Sequence, residues 1–433
     1  MILSALLTSV AINLGLCLLF FTLYSILRKQ PGNITVYVPR LVAEGKVEEG
    51  RQFNLERLLP TAGWVKKAWE PTEEEFLSNS GLDAFVFMRM FVFSLKVFTF
   101  GAIIGMFVLI PINYLGSQLT DDSDFQHKSL DSFSISNVNN GSNRLWIHFS
   151  AAYIFTGVVC YFLYYEYQYI SSKRIACFYS SEPQPHQFTV LVRGIPIPPG
   201  GTCADAVQSF FTEYHPSTYL SHSVVRRSHK LHNLITDAEK LYKKLTNLKQ
   251  KKDAPKRQTR EGEIPRIRLF GLLGVTYFLL APLILPFLLI YFCLGYIIFR
   301  NQFLKVYVPK FETGGEFWPT VHTSTIFSLV LMHVIAIGIF GLKKLPLAAG
   351  LTLPLPILTL LFNDYCQKRF RPIFKHFPAE CLIKKDRADE NEHNMSEFYD
   401  KMENAYNDPA LMPISYSERS DSHRSPLLYS NQV

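Results

Sequence analysis

Residues 269–299 read LFGLLGVTYFLLAPLILPFLLIYFCLGYIIF and carry no charge. A single helix of this length would measure about 46 Å, far more than the roughly 30 Å hydrocarbon core of a bilayer. Pro282 and Pro286 stand at its centre. Proline removes a backbone donor and clashes with the preceding turn, so the stretch predicts a hairpin of two short spans. With the hairpin the chain crosses the membrane seven times, and without it six.

Outward from this stretch, further uncharged apolar runs cover 2–27, 97–115, 146–165, 323–342 and 345–362. Runs of about 18 or more such residues are span candidates. The expected fold class is therefore an all-α polytopic membrane protein with about seven spans. The first run lacks a basic leader and exceeds the ~7–15 apolar residues of a signal peptide. It reads as a retained helix entering from outside, with Arg28 and Lys29 behind it.

Lysine and arginine collect at cytoplasmic span ends. Arg28-Lys29, Lys173-Arg174 and the QKRFR cluster at 367–371 all fall inside on the seven-span count. Lys343-Lys344 fall outside, as exceptions. The second helix is expected to start at SNSGLDAF, capped by Asp83, and it carries Arg89 and Lys96. Those two cations could mark an ion path, but residues 97–115 alone span about 28 Å, which leaves both at the inner interface. Small residues Gly101, Gly105, Gly271 and Gly274 suggest close helix contacts.

The loop at 116–144 holds Asp121, Asp122, Asp124 and Asp131 and should be outside. Its Asn140-Gly141-Ser142 is an N-glycosylation acceptor usable only on that face. Asn33-Ile34-Thr35 and Asn394-Met395-Ser396 fall on inner segments and read as chance matches. All seven cysteines lie in spans or on the inner side, so no disulfide framework is expected.

The largest inner loop, 171–265, runs through a β-branched stretch HQFTVLVRGIP, a helix-like CADAVQSFFTEY, a second strand candidate YLSHSVVRR and a basic helix TDAEKLYKKLTNLKQKK. The order β-α-β-α is half of a ferredoxin-like or RNA-recognition fold. Stacking platforms for bases are missing, so nucleic acid is not an expected partner. The basic helix suits anionic lipid or plain solvent. In NQFLKVYVPKFETGGEFWPTVH, aromatic rings alternate with lysines, which predicts a segment lying along the membrane with Trp318 at its surface. The polar tail is expected to be largely disordered.

No CxxC, HExxH, GxSxG, Walker loop or dinucleotide fingerprint occurs. His215, His222, His229 and His232 cluster without the cysteine or carboxylate spacing of a tetrahedral metal site. His148 and His333 read as core residues of spans. No catalytic residue, metal or cofactor is expected, and nothing points to an enzyme.

Several blocks together resemble the plant OSCA family of hyperosmolality-gated, calcium-permeable cation channels, relatives of the anoctamins. They are FNLERLLPTAGWVKKAW with GLDAFVFMRMFVFS, then SNRLWIHFSAAYIF, FTVLVRGIP, YLSHSVV with DAEKLYKKL, and LAPLILPFLLIYFCLGYIIFRNQ with GGEFWPTVH. The resemblance implies eleven membrane helices, an outer N-terminus, an inner C-terminus, a cytoplasmic RNA-recognition-like domain after the third helix, and a homodimer. It implies calcium and other cations as permeants, gating by membrane tension, membrane lipids as partners and a plasma-membrane location.

This chain departs from the family pattern between about Lys252 and Glu261, where the rest of the α/β domain and four helices are missing. An even number of lost spans keeps the downstream orientation. The expected layout is three helices over 1–170, an incomplete α/β domain over 171–265, the hairpin plus two helices over 266–366, and a cytoplasmic tail over 367–433. The family's conduction path is lined mostly by the missing block and by the helix that opens the hairpin. On that remaining wall only Thr276 and Tyr277 are polar candidates for pore lining, and core packing is the stronger reading for both. Conduction by the shortened chain is thus doubtful. The alternatives are anoctamin-like lipid scrambling and a non-conducting role beside full-length channels.

Overall fold

The computed structural model describes residues 3–30, 33–43, 60–119, 130–224, 264–307, 312–390 and 395–404, together with 233, 234, 237, 240 and 241. The seam near 252–261, most of the basic helix and the last part of the tail lie outside the described residues. Two units are formed, one from Met1–Ser180 with Pro255–Cys381, the other from Ser181–Ala254 with Leu382–Val433.

Among the described residues, six helical stretches are long and apolar enough to cross a membrane: Ser4–Leu27, Glu73–Tyr114, Leu145–Ser180, Ile284–Lys305, Trp318–Leu342 and Pro346–Glu390. The opening helix, α1 (Leu3–Leu27), is exposed along most of its length, with Ser25 its buried residue. Short α2 (Gly63–Trp69) buries Trp64, whose ring meets Phe21 and Tyr24 of α1. Helix α3 (Glu73–Ile104) begins at Thr72, earlier than the sequence suggested. The cause is a capping box: Glu75 N–H donates to Thr72 Oγ1 at 3.2 Å and Thr72 N–H to Glu75 Oε2 at 2.8 Å. Gly81, at φ +80°, kinks the helix where other residues would be strained. A π-helical turn at Gly105–Leu109 carries α3 on into Ile110–Tyr114. Pro111 has no N–H for the carbonyl four residues back, which accounts for the change of register there.

After α4 (Leu145–Ser180) and the second unit, the chain re-enters as α6 (Ile264–Tyr277) and α7 (Ile284–Lys305). The apolar run is thus broken at 278–283, around Pro282, as the hairpin reading required. At 14 residues, about 21 Å, α6 is shorter than the six spans. Helix α8 (Trp318–Leu342), short α9 (Pro346–Thr352) and α10 (Pro354–Lys375) follow.

Helices α3 and α7 pack through phenylalanines. Phe87 meets Phe299 and Phe303, each at 5.2 Å between centroids, Phe91 meets Phe292 and Phe299, and Phe98 stacks on Phe292 at 5.2 Å. Each such pair contributes about 0.5–1.5 kcal/mol beyond area, which matters where lipid offers no hydrophobic drive between helices. Glycines accept the rings: a Cβ on Gly274 would strike Phe98 and Leu288. Gly101 and Gly105 are similarly close to Phe155 and Leu285. Gly271 is the exception, with nothing within 4 Å of its would-be Cβ.

Hydrogen bonds gather the helix ends into two sets. At one end, Asn301 donates to Tyr24 Oη (2.7 Å), Arg40 to the Phe303 carbonyl (2.9 Å), Arg300 to Ala68 O (2.7 Å) and Arg174 to Ile373 O (3.1 Å). This is the basic end. At the other, Ile135 N–H donates to Leu280 O in the hairpin turn (3.1 Å), and Asn137 Nδ2 to Asn113 O (2.9 Å). Lys343 Nζ donates there to Ser136 O (2.8 Å) and Val138 O (2.7 Å). Lys343, an exception to the charge rule, is therefore held by loop carbonyls.

Two expectations for the basic end are corrected. Asp83 directs its carboxylate to a distant turn, accepting from Thr313 N–H (2.8 Å), Thr313 Oγ1 (2.8 Å) and Gly315 N–H (2.6 Å). The helix already has its cap at Thr72, which frees Asp83 for that task. Segment 301–322 does not form one surface strip: among its described residues, Asn301–Lys305 ends α7, Trp318 opens α8 fully buried against Phe93 and Tyr167, and 308–311 lie outside the described residues. Three helices meeting there offer the indole more contact than a headgroup layer would.

In the second unit, α5 (Cys203–Tyr214) is capped by Thr202, whose Oγ1 accepts from Asp205 N–H at 3.2 Å. The Thr202 hydroxyl and amide, both donating to Asp205, hold its carboxyl below the usual range. Among the described residues no strand is formed, contrary to the strand expectation for 186–196 and for 219–224; 225–227, the rest of the second candidate, lie outside the described residues. Val190 is 80% exposed and Leu191 68%. A strand needs a partner for its backbone groups, and no partner strand is present among the described residues.

Candidate conduction wall and buried charge cluster

Helix α6 is the wall on which the polar candidates lie. Thr276 is buried, and its Oγ1 has no hydrogen-bond partner. Tyr277, next to it at the hairpin turn, is 41% exposed. The two are not brought to a common opening. The cleft beside α6 is instead framed by α3 and α8 and lined from α6 by Ile267, Arg268, Gly271, Leu272 and Val275. Its cavity of about 40 Å³ is a small pocket beside these helices.

Arg89 and Lys96 are accounted for by a carboxylate that the sequence reading passed over. Glu166 of α4, fully buried, accepts from Arg89 Nε (2.9 Å), Arg89 Nη2 (2.6 Å) and Lys96 Nζ (2.7 Å). Arg89 Nη1 reaches Glu73 Oε1 at 3.0 Å, Tyr169 Oη donates to Glu73 Oε2 at 3.1 Å, and the guanidinium lies 4.7 Å from the Tyr169 ring centre. Glu166 lies about 31 Å along α4 from Leu145, at the edge of a hydrocarbon core. The cluster ties α3 to α4 there and leaves neither cation facing an open route. The available signal was a lone acid in YFLYYEYQYI: a carboxylate at that depth requires a cation at the same level.

Core histidines are placed as expected. His148 Nε2 pairs with Asn113 Oδ1 and His333 Nε2 with Thr156 Oγ1, both at 2.8 Å. Asn140 is exposed in the loop opposite the basic end, its N–H donating to Gln118 Oε1 at 3.1 Å. Gly141 follows at φ +72° and donates to Lys343 O at 2.7 Å, so the backbone beside the asparagine is fixed while its side chain is accessible.

Comparison with known proteins decides the family. Residues 5–166 match the family described as late exocytosis, associated with Golgi transport, and residues 209–340 match the one described as calcium-dependent channel, 7TM region. The chain is 39% identical to hyperosmolality-gated Ca2+ permeable channel 2.3 of Arabidopsis thaliana, over 95% of this chain and 98% of that protein. It belongs to the hyperosmolality-gated Ca2+ permeable channel family. Channels 2.2 and 2.1 of the same plant are each 27% identical, over 93% and 97% of this chain.

Against these family members the chain is short inside. The alignment with channel 2.3 runs over 692 positions, whereas this chain has 433 residues in all, so more than a third of the positions have no residue here. The region matched to the seven-helix family holds three apolar helices among the described residues, α6, α7 and α8. The sequence from 225 to 263 has no apolar run long enough for another. The family's membrane-spanning, channel-forming class applies to the chain, and its relatives are channels rather than enzymes.

Proposed function

We propose that this chain serves osmotically gated calcium permeation as an internally shortened family member that supplies scaffold and one wall but no complete path. The observation that carries this is α6: the cleft it borders is small, Thr276 is packed inside, and Tyr277 faces outward at the hairpin turn. A conducting filter needs carbonyls or polar groups in sequence across the membrane to replace ion hydration. A complete path then requires a full-length partner, which fits a dimeric assembly. Tension would act by favouring whichever state occupies more membrane area.

The test is patch-clamp recording under stretch in cells without related channels. Expressed alone at the surface, the chain should give no stretch current, and co-expression with a full-length relative should change that relative's current. Stretch-activated current from the chain alone would reject the proposal.

The orientation that supports this reading puts the basic end in the cytosol and Asn140 outside, on a seven-crossing path with α6 as the short span and the plasma membrane as destination. Asn140→Gln should then abolish a glycosidase-sensitive mobility shift in plant or insect cells. A shift that survives the substitution would count against Asn140 as the acceptor. Residues 171–265 fit half of an α/β domain whose partner strands lie in the missing block, since Val190, Leu191, Phe210 and Tyr214 leave apolar side chains uncovered. The regions 1–170, 266–366 and 367–433 complete that layout.

A further inference from the structure

We propose that the cleft between α3, α6 and α8 holds the phosphate headgroup of a phospholipid in the leaflet at the basic end, with Arg268 as its cation. Arg268 Nε is buried and has no hydrogen-bond partner, and no ion pair joins Arg268 to a described residue. No carboxylate lines the cleft. A guanidinium set against membrane helices without a counter-ion is costly, and phosphate is the anion whose oxygens fit its planar fork.

The rest of the lining divides as a phospholipid does. Four hydroxyls, Ser94, Ser324, Thr325 and Ser328, share the cleft with Arg268. Those of α8 donate to carbonyls four residues back, at 2.8, 3.1 and 2.8 Å, and would exchange that backbone acceptor for a phosphate oxygen on binding. The remaining walls, Val97 and Val275 among them, are apolar. Such a mixture favours a phosphate attached to hydrocarbon over a free ion. Depth agrees, because Ser94 lies about 30 Å along the helix from Tyr114, where headgroups begin at the basic end. With a volume of only about 40 Å³, the cavity seats headgroup atoms and leaves the acyl chains in the bilayer.

Gly271 keeps the mouth open. Three residues on, Gly274 is pressed against Phe98 and Leu288, yet a Cβ on Gly271 would meet nothing within 4 Å. A side chain at 271 therefore starts into open space at its Cβ and can extend into the cleft.

The full chain, purified in mild detergent, is incubated with dioleoyl phosphatidylglycerol, dioleoyl phosphatidylcholine, dioleoylglycerol or inorganic phosphate, and retained molecules are measured by native mass spectrometry. Both phospholipids should be retained and dioleoylglycerol should not. Arg268→Gln and Gly271→Leu should each lower phospholipid retention roughly tenfold, the equivalent of one charge-assisted contact. The lipid-free melting midpoint of Gly271→Leu should match the parent. Should Arg268→Gln fail to fold, Gly271→Leu decides alone. Unchanged retention in Gly271→Leu, equal retention of dioleoylglycerol, or displacement of lipid by inorganic phosphate at equal concentration would overturn the proposal. None of these readouts depends on whether the chain conducts.

Discussion

Glu166→Leu should remove most of the folded protein, and Arg89→Met combined with Glu166→Leu should restore much of it. Glu166 is fully buried and Arg89 is 7% exposed, and four hydrogen bonds from Arg89 and Lys96 converge on the one carboxylate. Deleting a single member of a buried pair leaves a charge without compensation and costs about 3–5 kcal/mol. That is a large share of the roughly 5–15 kcal/mol by which a domain is stable. Removing Arg89 with Glu166 clears the stranded charge, and Lys96, whose side chain is 34% exposed, can turn its ammonium toward the interface. Size-exclusion profiles and melting midpoints of tagged chains in mild detergent check this. A single variant that melts within a few degrees of the parent would show that the pair contributes little.

Asp83→Ala should loosen the turn before α8, with a loss of about 3 kcal/mol, since hydrogen bonds to a charged group are each worth roughly 1.5–3 kcal/mol and three converge on this carboxylate. The turn depends on its glycines. Gly314 and Gly315 have φ of +65° and +77°, and a Cβ on Gly315 would come within 2.8 Å of Val86. Arg174 donates to the carbonyls of Thr313 (3.3 Å) and Gly314 from the opposite side, so the carboxylate and the guanidinium hold one turn between them. Hydrogen exchange at the Thr313 and Gly315 amides is the direct measurement. Exchange should quicken in Asp83→Ala, whereas protection equal to the parent's would mean that those amides have other acceptors.

Both sites lie at the basic end. Arg89 and Lys96 share the carboxylate of Glu166, which stands about 31 Å along α4 from Leu145. Asp83 as a cap for its own helix did not hold, because the helix starts eleven residues earlier, at the Thr72–Glu75 capping box. Trp318 was misread for a related reason: aromatic rings beside lysines suit a headgroup layer, but burial against Phe93 and Tyr167 depends on helices remote in sequence. Of the four glycines read as contact points, Gly101, Gly105 and Gly274 face neighbours and Gly271 faces space. Composition is identical at all four, so only the packing separates them.

By itself the sequence determined the apolar helices, the break at 278–283 and the clustering of cations at one set of ends, because hydrophobicity, proline geometry and charge act through the residues nearest in the chain. Tertiary structure alone decided that Glu166 answers Arg89 across 77 residues and that Asp83 answers Thr313 across 230. It alone opened a cleft at Arg268. Such pairings depend on which helix faces stand opposite each other, and no local property of a sequence carries that information.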